Sequence, residues 1–276
     1  MRIAVVQMEP VWKDEQANWE QIDRRLDQLA GQGVQLAVFP ECSLSGYDLS
    51  PTELPRFASP IPGPQSEKLV QLAQKHGLLF QVGVLEKGGG DTYFNSCLLA
   101  SPQGLIGSYR KTHLPHLGVD RYLAPGDRLG PVHKTGLGRI GSLICYDLRL
   151  PEPARVLSLL GAQILLISTA WPESATLYPD FVARTRAAEN GVFLAAANRI
   201  GREGSTTYLG RSLVVDPSGS ILSEASGAQS ETLICDLDLR ASDEKRRIFV
   251  PGEYELDLVA DRRPDLYHVL TKTDPD

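Results

Sequence analysis

Glu41, Lys111 and Cys145 are the residues of this sequence whose types and spacing suit chemistry. Each stands just past a short apolar run of strand length: Leu36–Phe39 before Glu41, Leu105–Tyr109 before Lys111, and Ile140–Ile144 before Cys145. Carboxyl ends of strands are where α/β proteins open their ligand crevices. A thiol, a carboxylate and an ammonium meeting there would supply a nucleophile, a proton acceptor and an oxyanion stabiliser. Lys111 would favour the thiolate by charge, and Glu41 would take the thiol proton. The sulfur would attack a carbon bonded to nitrogen. Lys111 and the backbone N–H of Tyr146 would hold the negative oxygen. Glu41 would return the proton to departing ammonia or amine, leaving a thioester, and would then activate water. The plain alternative is a Glu41–Lys111 ion pair plugging a strand end, with Cys145 an ordinary buried thiol.

The elements that must position these groups follow from periodicity. Cys145 sits on an elbow: a strand over Ile140–Ile144, a sharp turn, then a helix with Pro153 near its start and Ala154, Leu157 and Leu160 at helical spacing. Ile3–Met8 reads as a strand and Glu15–Leu29 as an amphipathic helix with Trp19, Ile22, Leu26 and Leu29 on one stripe. A long loop, 42–64, is expected to carry function. Gln65–His76 is a helix, Leu78–Val84 a strand, and Tyr93–Ala100 with Leu105–Tyr109 a hairpin. Residues 116–128 read as irregular. Strands at Ile164–Ile167, Phe193–Ala197, Ser212–Val215, Ile221–Glu224 and Thr232–Asp236 follow, with a helix from about Ser174 to Asn190 between the first two. Leu239–Arg247 reads as a short helix and 248–276 as a C-terminal arm that docks on its own domain or on a second subunit. Alternating strands and helices make the class α/β, and the hairpins make the sheets mixed. No linker divides the chain, so 1–276 is expected to be one domain of two similar halves.

Composition narrows the function classes. The chain has 276 residues, a net charge of -6 and no basic run, which argues against nucleic acid and against polybasic membrane anchoring. No apolar stretch is long enough to span a bilayer, and no signal-peptide core follows Met1, so a cytoplasmic location is expected. The four cysteines, Cys42, Cys97, Cys145 and Cys235, are far apart with no CxxC pair, which suits free thiols in a reducing compartment.

Phe39-Pro40-Glu41, Tyr109-Arg110-Lys111-Thr112-His113-Leu114 and Cys145-Tyr146-Asp147-Leu148-Arg149-Leu150-Pro151-Glu152 together resemble the Glu, Lys and Cys motifs of the nitrilase superfamily of carbon–nitrogen hydrolases. The resemblance runs from Arg2 to about Tyr267. It implies a four-layer α-β-β-α sandwich with two mixed sheets face to face, hydrolysis without a cofactor, and a homodimer or higher homo-oligomer. It carries Glu41 over as base, Lys111 as oxyanion stabiliser and Cys145 as nucleophile. Many members have a second Glu shortly after the Lys. This chain has none there, and the role passes to Asp120, the alternative being an Asp120–Arg121 surface pair. The sequence after Cys145 is similar to the omega-amidase and Nit-type amidase branch, so the implied reaction is hydrolysis of a small amide by water. N-carbamoyl hydrolysis is the runner-up and nitrile hydrolysis third. By the same resemblance, Arg149 binds a substrate carboxylate or pairs with an acid, and Thr169 and Trp171 line the pocket or pack the sheet edge.

Other signals are weaker. Gly136-Leu-Gly138-Arg-Ile-Gly141 fits a dinucleotide-binding spacing but leads into a strand, so it reads as a turn. His113 and His116 lack a third ligand, and no metal is expected. The chemical rival is a Cys145–histidine pair using His113 or His133. The rival from another class is a binding or scaffold protein with a silent site.

Overall fold

The computed structural model describes residues 1–272. In chain order the elements are β1 (Arg2–Gln7), α1 (Glu15–Ala30), β2 (Leu36–Val38), α2 (Leu54–Phe57), α3 (Pro64–His76), β3 (Leu79–Lys87), β4 (Tyr93–Ser101) and β5 (Gly104–Arg110). They continue with β6 (His133–Thr135), β7 (Gly138–Ile144), α4 (Pro151–Leu159), β8 (Ile164–Ser168), α5 (Ala183–Asn190), β9 (Phe193–Ala197), β10 (Arg202–Glu203) and β11 (Thr206–Thr207). The last are β12 (Leu213–Val215), β13 (Ile221–Glu224), β14 (Glu231–Asp236), β15 (Arg246–Val250) and β16 (Tyr254–Asp257).

Two six-stranded mixed sheets form, ordered β14-β1-β2-β3-β4-β5 and β13-β12-β9-β8-β7-β6. Each has three parallel strands at its centre, β1-β2-β3 and β7-β8-β9, with antiparallel strands outside. The sheets pack face to face: Ile3, Val5, Leu36 and Val38 of the first meet Ile140, Ile164, Leu166 and Val214 of the second in one apolar cluster. Helices α1 and α3 cover the outer face of the first sheet through Trp19, Ile22, Leu26, Leu69 and Leu72. Helices α4 and α5 cover the second through Ala154, Leu157, Ala183 and Ala187. The fold is the expected α-β-β-α sandwich, with strands buried on both faces and so apolar almost throughout.

Some polar side chains cross the seam between the sheets. Ser142 donates to Gln81 at 2.7 Å, and Gln81 donates to the Ser168 hydroxyl at 3.1 Å. At the β1 end, Ser212 donates to Gln7 at 3.0 Å. Such bonds fix how the two faces sit, because slippage would strand buried polar atoms.

Three expectations change. The segment expected to be helical from about Ser174 starts at Leu177 and runs first as a wide π-helical stretch, Tyr178–Val182 with Pro179 in it, before the regular helix at Ala183. The expected helix Leu239–Arg247 is a short turn, Leu239–Ser242, followed by β15, whose Ile248 and Val250 favour extended backbone. The arm is not simply extended, since β15 and β16 form a hairpin; its last four residues lie outside the described ones. Among the described residues no helix is long and apolar enough to cross a membrane.

Candidate active site

Each reactive residue is set by the strand before it. Glu41 follows β2 through Phe39 and Pro40, and its backbone N–H donates to the Thr169 carbonyl beyond β8 at 3.3 Å. The chain here passes so close to β3 that a Cβ on Gly83 would lie 2.6 Å from the Glu41 Cα. Lys111 follows β5; its N–H donates to the Asn95 carbonyl at 2.7 Å, and its carbonyl accepts from Gly126 at 2.8 Å. Cys145 opens the turn Cys145–Arg149 beyond β7 with a φ of 45°. A non-glycine residue there is strained, and the surrounding packing must hold it.

At the centre is a buried charge cluster. The Lys111 ammonium donates to Glu41 Oε1 at 2.6 Å and to Asp120 Oδ2 at 2.5 Å. All three side chains are inaccessible to solvent. Asn95 joins the carboxylates from below, donating to Glu41 Oε1 at 2.6 Å and to Asp120 Oδ1 at 2.8 Å. Tyr47 donates its hydroxyl to Asp120 Oδ2 at 2.8 Å. Asp120 is therefore no surface partner of Arg121, whose Nε instead donates to the Gly118 carbonyl.

Burial and environment set the protonation states. Burial raises the Glu41 carboxyl above its ordinary range; Lys111 opposes this and the Asp120 charge adds to it. For Lys111, burial favours the neutral amine, but Asp120 and Glu41 outweigh it and hold the ammonium well above its usual value. The Cys145 thiol is pushed up to about 12 by burial and then by the Glu41 charge. Lys111, the Thr169 side chain and the Ala170 backbone amide only partly pull it back. Lys111 thus favours the thiolate by charge, as expected, but it is committed to two carboxylates and does not outweigh burial. A nucleophilic role for Cys145 would need a base to take the thiol proton as the sulfur attacks.

Asp147 fastens the Lys111 segment to the Cys145 elbow. Its Oδ1 accepts from the Thr112 hydroxyl at 2.9 Å, the His113 N–H at 3.0 Å and the His113 ring at 2.8 Å. Its Oδ2 accepts from the Tyr109 hydroxyl at 2.8 Å and the Ile144 N–H at 3.1 Å. The His113 ring is thereby spent on Asp147, and this bond raises its pKa. No hydrogen bond joins a histidine to Cys145 among the described residues; the His113 Nδ1 lies within hydrogen-bond distance of Asp147 and Thr112. A second buried pair, Arg199–Glu203, braces the loop after β2 that carries Tyr47, with Glu203 Oε2 accepting the backbone N–H groups of Tyr47 and Asp48 at 2.8 and 2.9 Å.

Of the remaining sequence candidates, Tyr146 is half-buried in the elbow turn and Arg149 is exposed. Thr169 and Trp171 are fully buried at the end of β8. Trp171 stacks on Tyr178 with centroids 5.0 Å apart and planes at 18°. Burial raises the Tyr178 hydroxyl, and the Cys145 charge is the next contributor, which sets Tyr178 beside the nucleophile. Sequence reasoning missed Asn95, Tyr47, Asp147 and Tyr178. Asn95 did carry a signal, since asparagine is depleted in strands yet stands inside an apolar one. Among the described residues no group of three or more His, Cys, Asp or Glu is arranged to hold a metal.

Comparison with known proteins adds four relationships. Residues 2–247 match the family described as carbon–nitrogen hydrolase. The chain is 32% identical to a nitrilase of Pyrococcus abyssi, over 97% of this chain and 99% of that protein. It is 30% identical to the omega-amidase of Mus musculus, over 88% of each. Among solved structures it is similar to a variant of an amidase from Nesterenkonia sp. AN1 in which acrylamide has added to the active-site cysteine. That match has a TM-score of 0.80 and 29% identity, covering 89% of this chain and 96% of that one.

Proposed function

The chain belongs to the carbon–nitrogen hydrolase family, enzymes acting on C–N bonds other than peptide bonds, and from that premise we propose that it is an amidase converting a small carboxamide to acid and ammonia through a Cys145 thioester. One observation carries the reading. Glu41 Oε1 is held by Lys111 and Asn95, while Oε2 is buried without a partner and free to accept a proton. The omega-amidase relative and the covalent cysteine adduct of the amidase neighbour support it.

The steps follow from the geometry. As Sγ bonds to the amide carbon, the thiol proton passes to Glu41 Oε2. The C=O electron pair moves to oxygen, which the Tyr146 N–H and the third N–H of Lys111 receive. An ammonium has three donors, and Glu41 and Asp120 occupy two. Each donor aimed at such an oxyanion is worth roughly 3–4 kcal/mol. Collapse breaks the C–N bond, Glu41 gives its proton to the leaving nitrogen, and ammonia departs. Water then attacks the thioester, its proton goes to Glu41, and collapse expels the sulfur, which regains a proton from Glu41. No group beyond the substrate and water is consumed.

Arg149 supports a second reading. Its guanidinium is exposed and has no carboxylate partner among the described residues, which suits the free carboxylate of an N-carbamoyl amino acid. The test is ammonia release from omega-amides, simple aliphatic amides, ureido acids and nitriles, with Cys145→Ala alongside. Release from amides that the variant abolishes supports the amidase. Release confined to ureido acids, with carbon dioxide, moves the reaction to the carbamoyl class, and release confined to nitriles to the nitrilase class. Turnover surviving in Cys145→Ala refutes the thioester.

We also place the enzyme in a reducing compartment such as the cytoplasm, consistent with its four free thiols. We read it as a homodimer or larger homo-oligomer, because the β15–β16 hairpin exposes Ile248, Phe249, Val250 and Tyr254.

A further inference from the structure

We propose that Asn95 is a positioning residue that selects which oxygen of Glu41 acts as the base and keeps the two carboxylates of the site from competing for one proton. The inference rests on Glu41 being the base, as argued above. Asn95 lies in β4, fully buried, opposite Leu85 of β3. Its side-chain amide has two N–H bonds, and each goes to a different carboxylate, Glu41 Oε1 and Asp120 Oδ1. Its backbone carbonyl holds the N–H of Lys111. One residue thus grips all three members of the charge cluster.

The choice of oxygen follows from counting donors. Glu41 Oε1 receives two, from Lys111 and Asn95, and Oε2 receives none. A carboxylate with one oxygen doubly bonded to donors takes up a proton on the other. Without the Asn95 bond Oε1 would keep only its bond to Lys111, and the direction of the vacant oxygen would be less firmly set. The second consequence concerns charge. Two buried carboxylates share one ammonium, and carboxylates that close tend to bind a common proton. Asn95 answers each with a neutral donor, and its bond to Glu41 lowers the pKa that burial has raised. An apolar residue in its place would shift Glu41 toward its protonated, inactive form. The Asn95 Oδ1 is itself buried without a partner, so the amide is held by its donors alone.

The test compares Asn95→Leu and the isosteric Asn95→Asp with the parent chain, reading kcat and KM against pH, the pH dependence of Cys145 alkylation by iodoacetamide, and thermal unfolding. Glu41→Gln runs in parallel. The expected result for Asn95→Leu is a fall in kcat of about 100-fold with KM within about threefold. The acid limb of kcat/KM and of alkylation should move up by about one pH unit. Asn95→Asp should lose at least as much at neutral pH, because it sets a third acceptor between two carboxylates. A folded Asn95→Leu with parental kcat and an unmoved acid limb overturns the proposal. If Asn95→Leu does not fold, Asn95→Asp decides alone, and parental kinetics there overturn it. Glu41→Gln separates the two ideas. Turnover retained in that variant sinks the base assignment itself, whereas a dead Glu41→Gln beside a parental Asn95→Leu sinks only the role of Asn95.

Discussion

Asp120 meets Lys111 from a side chain one methylene shorter than the glutamate that the family resemblance leads one to expect. The turn Gly118–Tyr122 makes this possible by bringing its backbone in close: Gly118, at a φ of 47°, packs against the Tyr47 ring, where a Cβ would lie 2.3 Å from a ring carbon. Asp120 then does two opposite things. It balances the Lys111 ammonium, and its charge raises the Glu41 carboxyl. Asp120→Asn should therefore lower kcat by about 10- to 100-fold, since Lys111 loses a counter-charge. It should also move the acid limb of kcat/KM to lower pH, since Glu41 ionises more readily without a negative neighbour. The sign follows from the role: the base works ionised, so activity is lost as pH falls through the Glu41 pKa. In the parent chain that loss comes above the ordinary carboxylate range, and a pH–rate profile of the two proteins reads both effects.

Among the elements, the contact of β3 with the Glu41 turn is a close backbone-to-backbone joint. A methyl group at Gly83 would meet Pro40 O at 2.6 Å and Cys42 N at 2.7 Å, as well as the Glu41 Cα. These are backbone atoms and cannot swing aside. Gly83→Ala should destabilise the fold by about 1–3 kcal/mol and reduce kcat more than it raises KM, because the base moves while the walls stay. Denaturant melts and steady-state kinetics on one preparation check both. The same joint shows where sequence is mute. The strands before Glu41 and Cys145 were legible because double burial makes apolar runs of strand length, and the half-buried edge strand before Lys111 because it pairs with β4 as a hairpin. The motif residues were legible because chemistry restricts their types. Gly83 and Asn95 were not, since their roles exist only across ladders that join distant segments. The helix expected at Leu239–Arg247 failed for a related reason. Its polar residues fit a helix face, but Ile248, Phe249 and Val250 next to them set the segment as a strand that pairs with Tyr254–Asp257.

Considered whole, the molecule divides its site between two sheets. Glu41 and Lys111 come from the first and Cys145 from the second, and Asp147 bridges the seam through Tyr109 on one side and Ile144 on the other. Beyond the sandwich, the hairpin leaves Phe249 and Tyr254 stacked at 4.5 Å and more than half exposed. Exposed paired aromatics suit a contact between copies, the role proposed for this hairpin. The double substitution Phe249→Ser and Tyr254→Ser should shift the protein toward monomer in analytical ultracentrifugation while sparing its melting temperature; an unchanged sedimentation coefficient would remove the hairpin from the interface.

The pairing of β1 with β14 has a consequence for the order in which the enzyme comes into being. Arg2 lies opposite Asp236, so the earliest strand made waits beside an empty place until almost the last one is translated. The sheet that bears the nucleophile draws on residues 133–224 and has all its strands before β14 leaves the ribosome. The sheet that bears the base and the lysine, although begun first, is finished second. Until then β1 presents an open, apolar edge, of the kind that invites mispairing with other chains. The sheet that carries Cys145 thus has all its strands while the sheet that carries Glu41 and Lys111 still waits for β14.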